Sequence, residues 1–246
     1  FKKISGMKLK EVYKSSPFGV VSSFLIGISH SAVFSLIAVY ATSMNFSILE
    51  VSIVTFLFAI SGAISQWPIG KLSDVLDRRI VIIYTTFGAA LFCFLAIISS
   101  GQMYMPAGLA TSKLFFYICI MCFSFCSLPM FALIFAHTND FIPKEKFVAA
   151  GAGLQFVFGL GAICGPFMCS LFMEFLGENG FFIFLIIFHS FIGLFGIYRM
   201  QIRESGDNPD SQFAPMPQTI TPAGIELNPS TEPIDEPNNL NEFKKI

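Results

Sequence analysis

Charge is scarce in this chain. Asp, Glu, Lys and Arg make up 13% of its 246 residues, against about 25% in a soluble domain. The few charges leave blocks of about 20 residues almost untouched, and a helix of that length spans the roughly 30 Å hydrocarbon core of a bilayer. Apolar and polar residues do not alternate along these blocks, which excludes a membrane β-barrel. No His-Glu-x-x-His, P-loop or dinucleotide fingerprint occurs, so no enzyme, no cofactor and no direct use of ATP is expected. All six cysteines lie inside apolar blocks, so no disulfide framework is implied. Cys119, Cys122 and Cys126 share a helix face. Small-residue packing beside Ser124 and Ser127 accounts for them, and no metal is expected. A cleavable leader is also lacking. The chain starts at Phe1 with Lys-rich polar sequence, and reads as a processed piece or an N-terminally truncated fragment.

What is abundant is apolar. Hydrophobic residues reach 54%, Phe alone counts 31, and the mean hydropathy is +0.70. The expected fold is an all-α membrane protein with six transmembrane helices, at about 18–42, 48–69, 80–99, 113–136, 147–175 and 181–200. Residues 1–17 form a basic head, and Pro17 suits the first turn of the first span. From 201 to 246 the chain turns Pro-rich and acidic without an apolar period, so this tail is expected to be disordered. Apart from Lys113, every Lys and Arg lies in the head, the loops after the second and fourth spans, or at and beyond the end of the sixth. With six spans these four regions share one side. The positive-inside rule makes that side cytoplasmic, with both termini of the segment inside an inner or plasma membrane. The spacing of the basic loops fits topology and gives no sign of nucleic acid.

The loop after the second span has a pattern of its own. Gly70, Leu72, Ser73, Asp74, Arg78 and Arg79 resemble the cytoplasmic loop signature of the major facilitator superfamily. Val75 and Asp77 stand where that signature has a basic residue and a second glycine, as in the degenerate copy of a second half. Ser16 to Val21 and Gln66 to Gly70 are similar to the second half of the YcaD-type bacterial branch. The resemblance covers about residues 8–200. It implies one half of a transporter fold, built of two inverted three-helix repeats, with the N-terminal six-helix half of the polypeptide as the partner missing from this chain. It also implies alternating access to a small-molecule substrate near the midplane. Spans one, two, four and five would then line the cavity, with three and six outside. The alternative is a non-transport sensor or assembly module that keeps the same architecture.

Within that frame, a titratable group at membrane depth is costly and marks a pathway. His30, near the centre of the first span with Ser31 beside it, is the substrate or proton candidate, joined by Gln155 of the fifth span. Gly70, Asp74, Arg78 and Arg79 are the expected conformational gating loop, with Asp74 set against a helix end of the other half. Gly161, Gly165 and Pro166 are expected to let the fifth span pack closely and flex. His189 is expected to make a structural or lipid contact. Tyr40 and Trp67 read as interfacial anchors.

Overall fold

The structure, a computed structural model, describes residues 7–99, 113–206 and 213–215. Most of the tail expected to be disordered and all of the link 100–112 after the third span lie outside the described residues. A short helix α1 (Leu9–Ser15) precedes α2 (Pro17–Ser43), α3 (Ile48–Val75), α4 (Arg78–Ser99), α5 (Lys113–Ser127), α6 (Met130–Asn139), α7 (Phe147–Leu176) and α8 (Asn179–Ile202). The described residues hold six segments long and apolar enough to cross a membrane, with α5 and α6 together forming the fourth. The protein is a multi-pass membrane protein.

The helix starts are built from local chemistry. Ser16 Oγ accepts from Gly19 N at 3.1 Å, and Pro17 follows at the first helical position. Ser47 and Glu50 form a capping box at the start of α3. Gly177 ends α7 at φ +67°, a conformation open to glycine at little cost. The fourth span is not one continuous helix. Pro129 has no N–H to give, and the chain turns at Leu128–Pro129 between α5 and α6. Nor does α3 stop at residue 69. It stays helical through Gly70–Asp74 to Val75, and at 28 residues it rises about 42 Å, longer than the hydrocarbon core. Only Leu76 and Asp77 separate it from α4.

The contact pattern follows an internal symmetry. Exchanging α2 with α5/α6, α3 with α7 and α4 with α8 turns the extensive α2–α7 packing into α3–α5, and α4–α5 into α2–α8, while α4–α8 maps on itself. These are two inverted three-helix repeats. α3 and α7 are the least covered spans. Tyr40 belongs to the end where α5 and α8 begin, but it is 1% exposed and so is no interfacial anchor. Its ring lies 4.9 Å from Phe182, 5.2 Å from Phe181 and 6.0 Å from Phe116. Trp67 is exposed, with Lys71 Nζ 4.2 Å above its ring.

The closest seam joins α2 to α7, backbone against backbone. A Cβ on Gly27 would lie 2.2 Å from Phe158 O, one on Gly161 2.2 Å from Phe24 O, and one on Gly165 2.1 Å from Ile28 O. Lipid gives apolar helices no hydrophobic reason to associate, so this intimacy is what dispersion and weak C–H···O contacts need.

Candidate functional site

Two polar constellations stand out in an otherwise apolar bundle. The first lies at mid-span. His30 is 1% exposed on α2 and His189 fully buried on α8; Ser127, the last residue of α5, stands between them at the break in the fourth span. His30 Nε2 is 3.1 Å from both Ser127 O and Ser127 Oγ. His189 Nε2 lies 2.8 Å from the same hydroxyl, and His189 Nδ1 is 2.9 Å from Leu185 O. Ser29 Oγ is a further 3.3 Å neighbour of His189 Nδ1.

The carbonyls assign the tautomers. A carbonyl only accepts, so His189 carries its proton on Nδ1 and offers Nε2 as a lone pair, while His30 donates from Nε2. Ser127 therefore accepts from His30 and donates to His189. All donors point one way, from α2 to α8. Among the described residues His30 Nδ1 makes no hydrogen bond, so it is the free end of the chain. A proton arriving at Nδ1 can displace the Nε2 proton to Ser127 Oγ, whose own proton passes to His189 Nε2. The net result is one imidazolium moved across the core.

The second constellation sits where α3 meets α4. Asp77 Oδ1 accepts from Arg79 N at 2.9 Å and starts α4. Arg79 Nη2 returns to Asp77 Oδ2 at 2.6 Å, and its Nη1 donates to Arg203 O at 2.6 Å, past the end of α8. Arg78 is 8% exposed. It holds Asp74 at 2.9 Å, pairs with Asp140, and donates to Ala136 O at 3.2 Å near the end of α6. The two arginines thus place positive charge on the carbonyl ends of two helices, where the macrodipole favours it. Asp74 also accepts from Phe213 N at 2.9 Å.

Burial raises the Asp77 carboxyl, but hydrogen bonds from Arg79 outweigh it and hold the pKa below the usual range. A depressed carboxylate contributes stability that is complete above the unfolded value near 4 and is lost as pH falls through the lower folded value. Asp77→Ala is expected to cost about 1 kcal/mol at neutral pH through the lost cap. It should also remove part of the acid sensitivity, read by thermal unfolding at pH 7 and pH 3.

His30, the expected substrate or proton candidate, is enclosed between helices, and its hydrogen bonds run to Ser127 and through it to His189. Ser31 Oγ donates to Ile28 O of its own helix at 3.1 Å. Gln155 is half-buried on α7, one turn before Phe158, whose ring centre is 6.3 Å from that of His30. Of the two contacts expected for His189, the structural one is found and the lipid one is not. Sequence reasoning did not single out its partner Ser127; Pro129, two residues after Ser127, was the available signal. Pro166 stays inside α7, with Ser170 Oγ donating to its carbonyl at 2.8 Å.

A family model described as Major Facilitator Superfamily matches residues 19–233. An uncharacterized MFS-type transporter of Yersinia enterocolitica is 23% identical over 201 residues, covering 82% of this chain and 47% of that protein. The corresponding protein YfkF of Bacillus subtilis is 26% identical over 191 residues, covering 74% and 45%. One from Enterobacter is 24% identical over 191 residues, covering 78% and 45%. The chain spans about half the length of these relatives. No solved structure matches it.

Proposed function

Because the chain belongs to the major facilitator superfamily, a family of secondary transporters rather than enzymes, we propose that it forms the second six-helix half of a carrier that moves a small solute by alternating access. The observation that carries this reading is the mid-span break at Leu128–Pro129, where His30, Ser127 and His189 are joined in the membrane core. Interrupted helices with polar groups at the midplane are where such carriers bind substrate and ions. The coverage of about half of each relative supports a second half of similar size, and the residues shared with the YcaD-type branch support the assignment to that branch. The uncovered faces of α3 and α7 suit contact with that half. The end bearing Arg78 and Arg79 is the cytoplasmic one, both termini of this segment included. There Gly70, Asp74, Arg78 and Arg79 form the gating element, with Ser31 and Gln155 as further pathway residues. Gly161, Gly165 and Pro166 form the packing and flexing element of α7.

The test is counterflow of a panel of small solutes by the complete protein in proteoliposomes, at pH 5.5 to 8.5. Wild type is expected to exchange at least one solute with a pH-dependent rate. Asp74→Asn is expected to slow exchange about tenfold, the effect of one transition-state interaction of about 1.4 kcal/mol. His30→Gln keeps a donor for Ser127 but cannot relay a proton, so its pH profile should flatten. No exchange of any solute would favour a sensor or assembly module, and an unchanged pH profile would return His30 to packing.

A further inference from the structure

The chain does not leave the bundle where α8 ends. Arg203 O is held by Arg79 at 2.6 Å. Its guanidinium lies 4.0 Å from the Phe141 ring and donates to Ser15 O at 2.5 Å. At Gly206 the backbone runs so near α6 that a Cβ would lie 2.7 Å from Asp140 O. Beyond it, Phe213 N donates to Asp74 Oδ1 at 2.9 Å. The Phe213 ring lies where a Cβ on Gly70 would be, with Cδ1 2.2 Å from that position. It packs against the apolar cluster of Ile69 and Met130 and against that of Val12, Ala132 and Phe135. The seat is built of α3 and α6, and only glycine at position 70 leaves room for it.

We propose that Phe213 is a plug: it seats on Gly70 and Asp74 at the basic end, and must leave before that end can close against the other half. This rests on the reading that a second half closes on the same element. Asp74 has one carboxylate, already shared between Arg78 and Phe213 N, and Gly70 has one open face. A partner helix and Phe213 cannot occupy both together. The plug is therefore seated when this end is open, and its release precedes closure.

Oxidative cross-linking tests the seat in the complete protein. Lys71→Cys with Ala214→Cys, which keeps Gly70, Asp74 and Phe213, is expected to link about tenfold faster than Glu145→Cys with Ala214→Cys, because the seated Phe213 raises the local concentration of the pair. Glu145 is exposed near the same end, so it controls for random encounter. Gly70→Leu fills the seat and should bring the faster rate down to the control. Equal rates in the two pairs, or no effect of Gly70→Leu, overturns the seat.

Flux tests the plug. Phe213→Ala, and separately deletion of residues 207–246, should raise exchange of the solute found by counterflow about threefold by releasing a populated restrained state. Unchanged or slower exchange overturns the plug. A wild-type protein that moves no solute would fail the transporter reading, and the cross-linking rates would still decide the seat.

Discussion

Arg78→Met is expected to destabilise the folded bundle by about 3–5 kcal/mol, the cost of taking one partner from a buried ion pair. Arg78 binds three groups on two helices at once: Asp74 at the end of α3, and Asp140 and Ala136 O at the end of α6. Its side chain and that of Asp140 are 8% and 10% exposed, so water cannot replace the lost charge. Methionine replaces the stem of the side chain and removes the guanidinium. The double variant Arg78→Met with Asp140→Leu should recover most of the loss, because an apolar pair of similar volume fits such a site at little cost. Arg78→Lys should fall between, since a single ammonium cannot meet three acceptors in a fixed fork. Denaturant unfolding of the purified protein in detergent measures all three. Equal losses in the single and double variants would show that the arginine acts by packing rather than by charge.

The second large effect is steric. Gly161→Ala places a methyl group 2.2 Å from Phe24 O, a backbone atom of α2 that cannot swing aside. Either the seam opens or α7 shifts, and overpacking of this kind costs about 1–3 kcal/mol. Gly159, two residues earlier on the same helix, meets nothing within 4 Å. There the same substitution should stabilise by about 0.5–1 kcal/mol, because alanine favours a helix interior over glycine. Opposite signs at two glycines in one turn separate seam packing from helix propensity. The same sign at both would mean that α2 and α7 do not meet as described.

Much of the architecture was legible because membranes impose coarse rules. Continuous apolar blocks gave the six spans, and the sites of Lys and Arg placed the α3–α4 turn, the α6–α7 link and the end of α8 on one side. The break in the fourth span was not legible. Leu128-Pro129-Met130 is apolar throughout, and proline is tolerated inside membrane helices, so its presence alone does not say whether the helix bends or opens. The end of α3 was placed too early for a related reason. Charge stops a helix from being buried, not from being a helix, and residues 70–75 continue it into the aqueous edge. The arginine pair was visible as a motif, but its partners were not. Asp140 and Arg203 lie 62 and 124 residues away, and no local pattern signals which helix ends will meet. For His189 a structural contact was legible, but its partner was not. On α8 it stands in a run of Phe, Leu and Ile with no polar period, and only the fold turns it toward Ser127.

The two ends of this bundle are held by different forces. At one, Tyr40, Phe116, Phe181 and Phe182 close the helices with ring contacts that owe nothing to ionisation and little to salt. At the other, carboxylates and guanidiniums do the closing, and these weaken with acid. Acidification therefore loosens the arginine end while the aromatic end stays shut. The molecule frays from one side, like a tube with a single soluble cap.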